Sequence, residues 1–191
     1  MEKDSTATPI LKLVSSRQEL VLRPLSGRRK IADAKHAFNS RINLNDGCLE
    51  LNSRVDIDDG FFKLEPNNPG IATPETRTRV HQVISNDIFL KIFMSLSGAW
   101  EQKWLSQDQV IEFCSRYPYW SRQKGCVASF LCKNNEMKPV DENHPDSDLF
   151  VIVVKVSSNG LHTMISYRGI ISICPTECCH RVISPRNPYL A

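Results

Sequence analysis

Ser106-Gln107-Asp108-Gln109-Val110-Ile111-Glu112-Phe113-Cys114-Ser115-Arg116-Tyr117-Pro118 is the stretch from which the rest of the chain can be read. Ser106 with Gln109 three residues on makes a capping box, and Leu105 and Val110 stand where a hydrophobic staple closes. Val110, Phe113, Cys114 and Tyr117 then fall at i, i+3, i+4 and i+7, one apolar stripe on the helical period, and Pro118 forbids continuation. Glu112 and Arg116 are left outside the stripe at a pairing distance.

Working backwards, a second helix starts at Ser85 or Asn86 and carries Ile88, Phe89, Leu90, Ile92, Phe93, Met94 and Leu96 before Gly98, a natural C′ residue. Apolar residues nearly surround it, which places it in the core. Thr73-Pro74-Glu75 reads as an N-cap, a first-turn proline and a first-turn acid, so a third helix is expected through Ile84. The alternation of Thr76, Thr78 and Val80 in the same segment also fits a strand.

Working forwards, the period changes after Gly125. Cys126 to Leu131 and Leu149 to Val156 are rich in β-branched and aromatic residues and are bounded by Asn, Pro and Asp, the mark of strands. Asn159-Gly160 supplies a type I′ turn, Leu161 to Tyr167 returns as the hairpin partner, and a short strand is expected at Gly169 to Ile173. Upstream, Leu49, Leu51, Val55 and Ile57 alternate with polar residues, and Asp59-Gly60 turns that strand into Phe61 to Leu64.

These signals predict an α+β fold, an antiparallel sheet with hairpins packed against two or three helices. With 191 residues, 41% of them hydrophobic, the chain has enough material for one ordinary core. Residues 1–45 read as a basic N-terminal extension and 46–191 as a single α+β domain, with a candidate internal boundary in the breaker-rich 66–72. No apolar run approaches the roughly 20 residues that span a bilayer, and Glu2 and Asp4 stand where a signal peptide carries cations. A soluble, cytoplasmic protein without membrane association is therefore expected, and seven irregularly spaced cysteines fit reduced thiols in that compartment.

The net charge of +3 hides an asymmetry: residues 1–45 hold nine Lys/Arg against four acids, while 46–75 hold seven acids against two bases. The basic segment either pairs with the acidic one or offers a contact surface to an anionic partner.

Three functional readings follow. The first is non-catalytic binding of a protein partner through Trp100, Trp104, Arg116, Tyr119, Trp120 and Arg122, residue types enriched at interface hot spots, against the plainer reading of a core corner. The second is nucleic-acid binding through Arg23, Arg28, Arg29, Lys30 and Lys35, with helices followed by a hairpin in a winged-helix-like order. Asp108 and Glu112 on the expected recognition helix speak against it. The third is a thiol- or metal-dependent enzyme. Cys174, Cys178 and His180 are the ligand types concerned, but their spacing does not match paired zinc knuckles, so no metal and no cofactor is expected. No G-x-S-x-G elbow, phosphate-binding glycine loop or H-E-x-x-H pair occurs, and Asp56 to Gly60 reads as a turn rather than a calcium loop.

Overall fold

The structure is a computed structural model and describes residues 9–38, 54–59, 70–134, 143–157, 162–174 and 179–186. In chain order the described elements begin with β1 (Leu11–Leu13), β2 (Leu20–Leu22), 3-10 turns at Ile31–Asp33 and Lys35–Phe38, and β3 (Arg54–Ile57). Next come β4 (Thr76–Val83), β5 (Asp87–Ile88), α1 (Phe89–Met94), a 3-10 turn at Trp100–Gln102, α2 (Gln107–Arg116) and α3 (Pro118–Ser121). The chain continues with β6 (Cys126–Lys133), α4 (Pro145–Asp148), β7 (Leu149–Val156), β8 (His162–Gly169), β9 (Ile173–Cys174) and β10 (Cys179–Pro185).

Strand dominates, and the large sheet runs β1-β4-β10-β6-β7-β8-β3, with β2 joining β1 along the same edge of β4. β10 lies parallel to β6 and β3 parallel to β8, whereas the other pairs in this sheet are antiparallel. The expected antiparallel sheet on two or three helices is thus corrected to a large mixed sheet with short helices. The physical reason is that turn chemistry encodes only neighbours joined by tight turns; a parallel pair needs a long crossover and leaves no local signal. The expected helix over 73–84 is strand β4 instead. Its alternation of Thr76, Thr78 and Val80 against Arg77, Arg79 and His81 is satisfied by pairing with β1 and β2 on one side and β10 on the other.

Alternation along the central strands splits the core into two layers. Ala128, Phe130 and Cys132 of β6, Phe150, Ile152 and Val154 of β7, Val80 of β4 and Ile183 of β10 face one layer. There they meet Leu20 and Leu22 of β2, Ile31 and Phe38 of the 3-10 turns, and Val110, Ile111, Phe113 and Cys114 of α2. Leu131, Leu149, Val151, Val83 and Val182 face the other layer, where Phe89, Ile92 and Phe93 of α1 close over them. β6 is buried along its whole length, as a strand covered on both faces must be. Residues 11–38 of the expected extension are built into the same sheet and core.

α2 starts as its sequence dictates. The Gln109 backbone N–H donates to Ser106 Oγ at 3.1 Å, and the Ser106 N–H donates back to Gln109 Oε1 at 3.0 Å. Gln109 Nε2 also donates to Thr76 Oγ1 at 2.9 Å, tying the cap to the first residue of β4. α1 is shorter than its apolar run, because Asp87–Ile88 pair with β9 before the helix begins. The chain leaves α1 through Gly98, whose φ of 99° lies in the left-handed region that glycine tolerates best. The β7–β8 hairpin forms with Val156 opposite Thr163; its expected Asn159-Gly160 turn lies outside the described residues. Of the upstream hairpin, Arg54–Ile57 is strand and its expected partner at 61–64 also lies outside them. Among the described residues no helix is long and apolar enough to cross a membrane.

Candidate functional site

β4 carries the side chains that matter most. On a strand, residues two apart share a face, so Arg79 and His81 point with Val83 into the layer that holds α1, while Thr78 and Val80 point into the layer that holds α2. β10 pairs alongside with Ser184 opposite Arg79 and Val182 opposite His81. The exit from α1 and the 3-10 turn then lay Leu96, Ser97, Gln102 and Lys103 over these strands. Pro185 and Arg186, at and just beyond the end of β10, complete the wall of a cleft with about 370 Å³ of empty space, its open mouth included.

The electrostatics of this cleft are one-sided. Arg79, Lys103 and Arg186 line it, and among the described residues no carboxylate does. None of these three side chains forms an ion pair among the described residues. Lys103 is only 7% exposed and holds its ammonium 4.9 Å from the centre of the Trp100 ring. Burial pushes its pKa below the ordinary lysine value. Burial, reinforced by the charge of Arg79, pushes His81 down to about 4, so its imidazole is neutral at pH 7 and has one N–H to donate. A cleft with three cations, one neutral imidazole and the hydroxyls of Ser97 and Ser184 has the donor set for an anion. A hydrolytic triad needs a carboxylate behind the imidazole, and none lines the cleft among the described residues.

The candidates raised by the sequence lie elsewhere, and the sheet divides them. Trp100 and Trp104 pack against the α1 layer. Lys133 stands 5.7 Å from the Trp104 ring centre, and the Trp104 indole N–H is buried without an acceptor among the described residues. Trp120 packs against the α2 layer and donates from Nε1 to Gln18 Oε1 at 2.8 Å. Tyr119 is 64% exposed and meets Trp120 edge-on. Both rings face the buried guanidinium of Arg181, which donates to the carbonyls of Tyr119 and Trp120 and to Gln123 Oε1. Arg116 is half-exposed, 3.9 Å from Glu112, and Arg122 is partly buried beside Cys114. The six residues do not form one patch.

The cations of the basic segment are divided as well. Arg29 binds Asp108 and, at 3.1 Å, Glu112; Arg23 reaches Glu112 at 3.1 Å. Burial opposes the Arg29 charge, but its bonds to Asp108 and Glu112 outweigh that and hold its pKa above the ordinary value. These partners belong to α2, not to the acidic 46–75 segment. α2 itself is buried from Asp108 to Cys114, and its exposed residues Ser115 and Arg116 lie at its C-terminal end. Arg28 and Lys35 are exposed and Lys30 is partly buried.

Of the three weak metal candidates, Cys174 is buried, with its thiol pushed up to about 12 by burial, and Cys178 lies outside the described residues. His180 Nε2 sits 2.7 Å from Ser129 Oγ, with the Phe89 ring against it at 5.9 Å. Ser129 is fully buried, so this contact braces β6 against β10 and no substrate reaches it. Among the described residues, no three His, Cys, Asp or Glu stand together as metal ligands.

The cleft residues were absent from the sequence-level candidates for a specific reason. Read as a helix, 73–84 throws Arg77, Arg79 and His81 around the axis; read as a strand, it places all three on one face. That alternation was the available signal. Lys103 and Arg186 carried none, since only the fold brings them to β4.

Compared with protein-family models, with curated proteins and with solved structures, the chain matches none.

Proposed function

We propose that this protein is a non-catalytic binding module that takes an acidic segment of a partner protein into the β4–β10 cleft. The observation that carries the reading is the convergence of Arg79, Lys103 and Arg186 on one cleft that, among the described residues, holds no counter-charge. Lys103, buried and without an ion pair among the described residues, carries a free-energy cost that an anionic partner would remove, while Arg79 and Arg186 are half-exposed. Leu96 and Pro185 give the same cleft apolar wall, suited to the stem of a peptide side chain. Nucleic acid is the competing partner, and it would draw on the exposed Arg28 and Lys35.

Fluorescence anisotropy with a labelled Asp/Glu-rich peptide and a labelled single-stranded oligonucleotide separates the two. The expected result is peptide binding that Arg79→Gln and Arg186→Gln each weaken about tenfold, the equivalent of about 1.4 kcal/mol. Arg28→Ala with Lys35→Ala should leave it unchanged. Oligonucleotide binding that the arm variants abolish, with no peptide binding, would overturn the reading in favour of nucleic acid.

A further inference from the structure

We propose that the group this cleft recognises is a phosphate monoester on a side chain of the partner, rather than a carboxylate. The inference rests on the reading of the cleft as the site for an acidic partner segment, and it adds the chemistry of the anion. A carboxylate brings one negative charge and two oxygens, so it would leave two of the three cations unmatched. A phosphorylated side chain brings about −1.5 to −2 charge at pH 7 and three acceptor oxygens. That matches Arg79 and Arg186, whose planar forks bind such oxygens in pairs, and Lys103 as a point charge.

The neutral state of His81 adds one N–H donor without adding repulsion to Arg79. The hydroxyls of Ser97 and Ser184 offer further donors at the same place. The shape favours a single group over a chain of phosphates. Leu96 and Pro185 wall the cleft with apolar surface, which suits the stem of one phosphorylated side chain better than a run of phosphates.

The test uses the full chain and a degenerate nine-residue peptide pool with phosphoserine at its centre, beside the same pool with glutamate and with serine there. Inorganic phosphate serves as competitor. The phosphoserine pool is expected to bind at least about tenfold tighter than the glutamate pool, and Arg79→Gln and Arg186→Gln are each expected to erase that difference. Phosphorus NMR should show the bound phosphate remaining dianionic below pH 6, near which the free group takes up its proton, because neighbouring cations favour the charged form. Circular dichroism confirms that each variant folds, and Lys103→Met, which keeps the unbranched stem, supplies an independent cleft variant. Equal affinity for the glutamate and phosphoserine pools would overturn the phosphate assignment and leave the acidic-segment reading standing. Inorganic phosphate binding as tightly as the phosphoserine pool would overturn the peptide as its source. Binding of neither charged pool would overturn both readings.

Discussion

Replacing Lys103 by methionine should make the free protein more stable while weakening its hold on an anion. The side chain is 7% exposed, its ammonium lies 4.9 Å from the Trp100 ring centre with no ion pair among the described residues, and burial lowers its pKa. A buried ion loses several kcal/mol of hydration, and replacing buried ionic groups by packed apolar ones ranges from neutral to a gain of about 1–4 kcal/mol. A desolvated cation–π contact returns about 2 kcal/mol of that loss, so the low end applies. Methionine keeps the unbranched stem and packs adaptably. A gain of about 1 kcal/mol is expected, which for a chain of this length raises the melting temperature by about 2–4 °C. The sign of the pH dependence follows from linkage. A lysine whose folded pKa lies below the unfolded value near 10.5 lowers stability at pH 7, and that cost fades as pH rises through the depressed pKa. The gap between variant and wild type, measured by urea denaturation from pH 7 to pH 10.5, should therefore close with rising pH. Saturating the wild type with ligand at 100 times Kd should add about 2.7 kcal/mol, and the variant should gain much less at the same concentration. A variant less stable than wild type at pH 7, or a gap that widens in alkali, would refute the claim that Lys103 is an unsatisfied charge.

Four further outcomes are expected. Ser106→Ala should lose about 0.5–2 kcal/mol of stability by chemical denaturation while Ser106→Asp stays nearly neutral, since an aspartate also accepts from the Gln109 N–H; equal losses would exclude the cap. Arg29→Ala should cost about 2–3 kcal/mol, below the 3–5 kcal/mol of a fully buried pair because Arg29 is 38% exposed, and adding Asp108→Asn should return part of that loss; strictly additive losses would show that the two groups act independently. Cys114 and Cys174, both held up at about 12 by burial, should resist a thiol-directed dye at pH 8 until the protein unfolds, whereas the half-buried Cys179 should react earlier. Phe93→Ala should cost about 3–5 kcal/mol in a calorimetric or denaturant melt, since Phe93 is wholly buried against the sheet; an unchanged midpoint would remove α1 from the core.

The parts of the fold legible in the sequence are those whose information is local. The capping box, the apolar stripe and Pro118 lie within a dozen residues of one another, and α2 forms where they say. The strands at 126–133, 149–156 and 162–169 are likewise written in their own β-branched runs. What could not be read depends on partners distant in sequence. β10 begins Cys179-His180-Arg181, a polar start that shows no strand pattern by itself; it is central because β6 and β4 accept it on both edges. β1 and β2 span three residues each, too few for any periodicity, and they exist because β4 offers them an edge.

The same distinction explains the charges. Counting residues shows that 1–45 is basic, but not which acids its cations meet. Burial decides that, and it selects Asp108 and Glu112, 1% and 7% exposed at the side chain, as partners for Arg29. A carboxylate that has lost its water needs a cation more than an exposed one does, so the most conspicuous basic cluster in the sequence spends part of its charge inside the fold. Arg79, Lys103 and Arg186 are scattered over more than a hundred residues and form no cluster in the sequence, yet they converge on one cleft that no acid lines among the described residues. Net charge by segment therefore does not say which cations stay unmatched after folding. The informative quantity is charge left unmatched after folding, and among the described residues Arg79, Lys103 and Arg186, which line the cleft between β4, β10 and the turn that carries Lys103, form no ion pair.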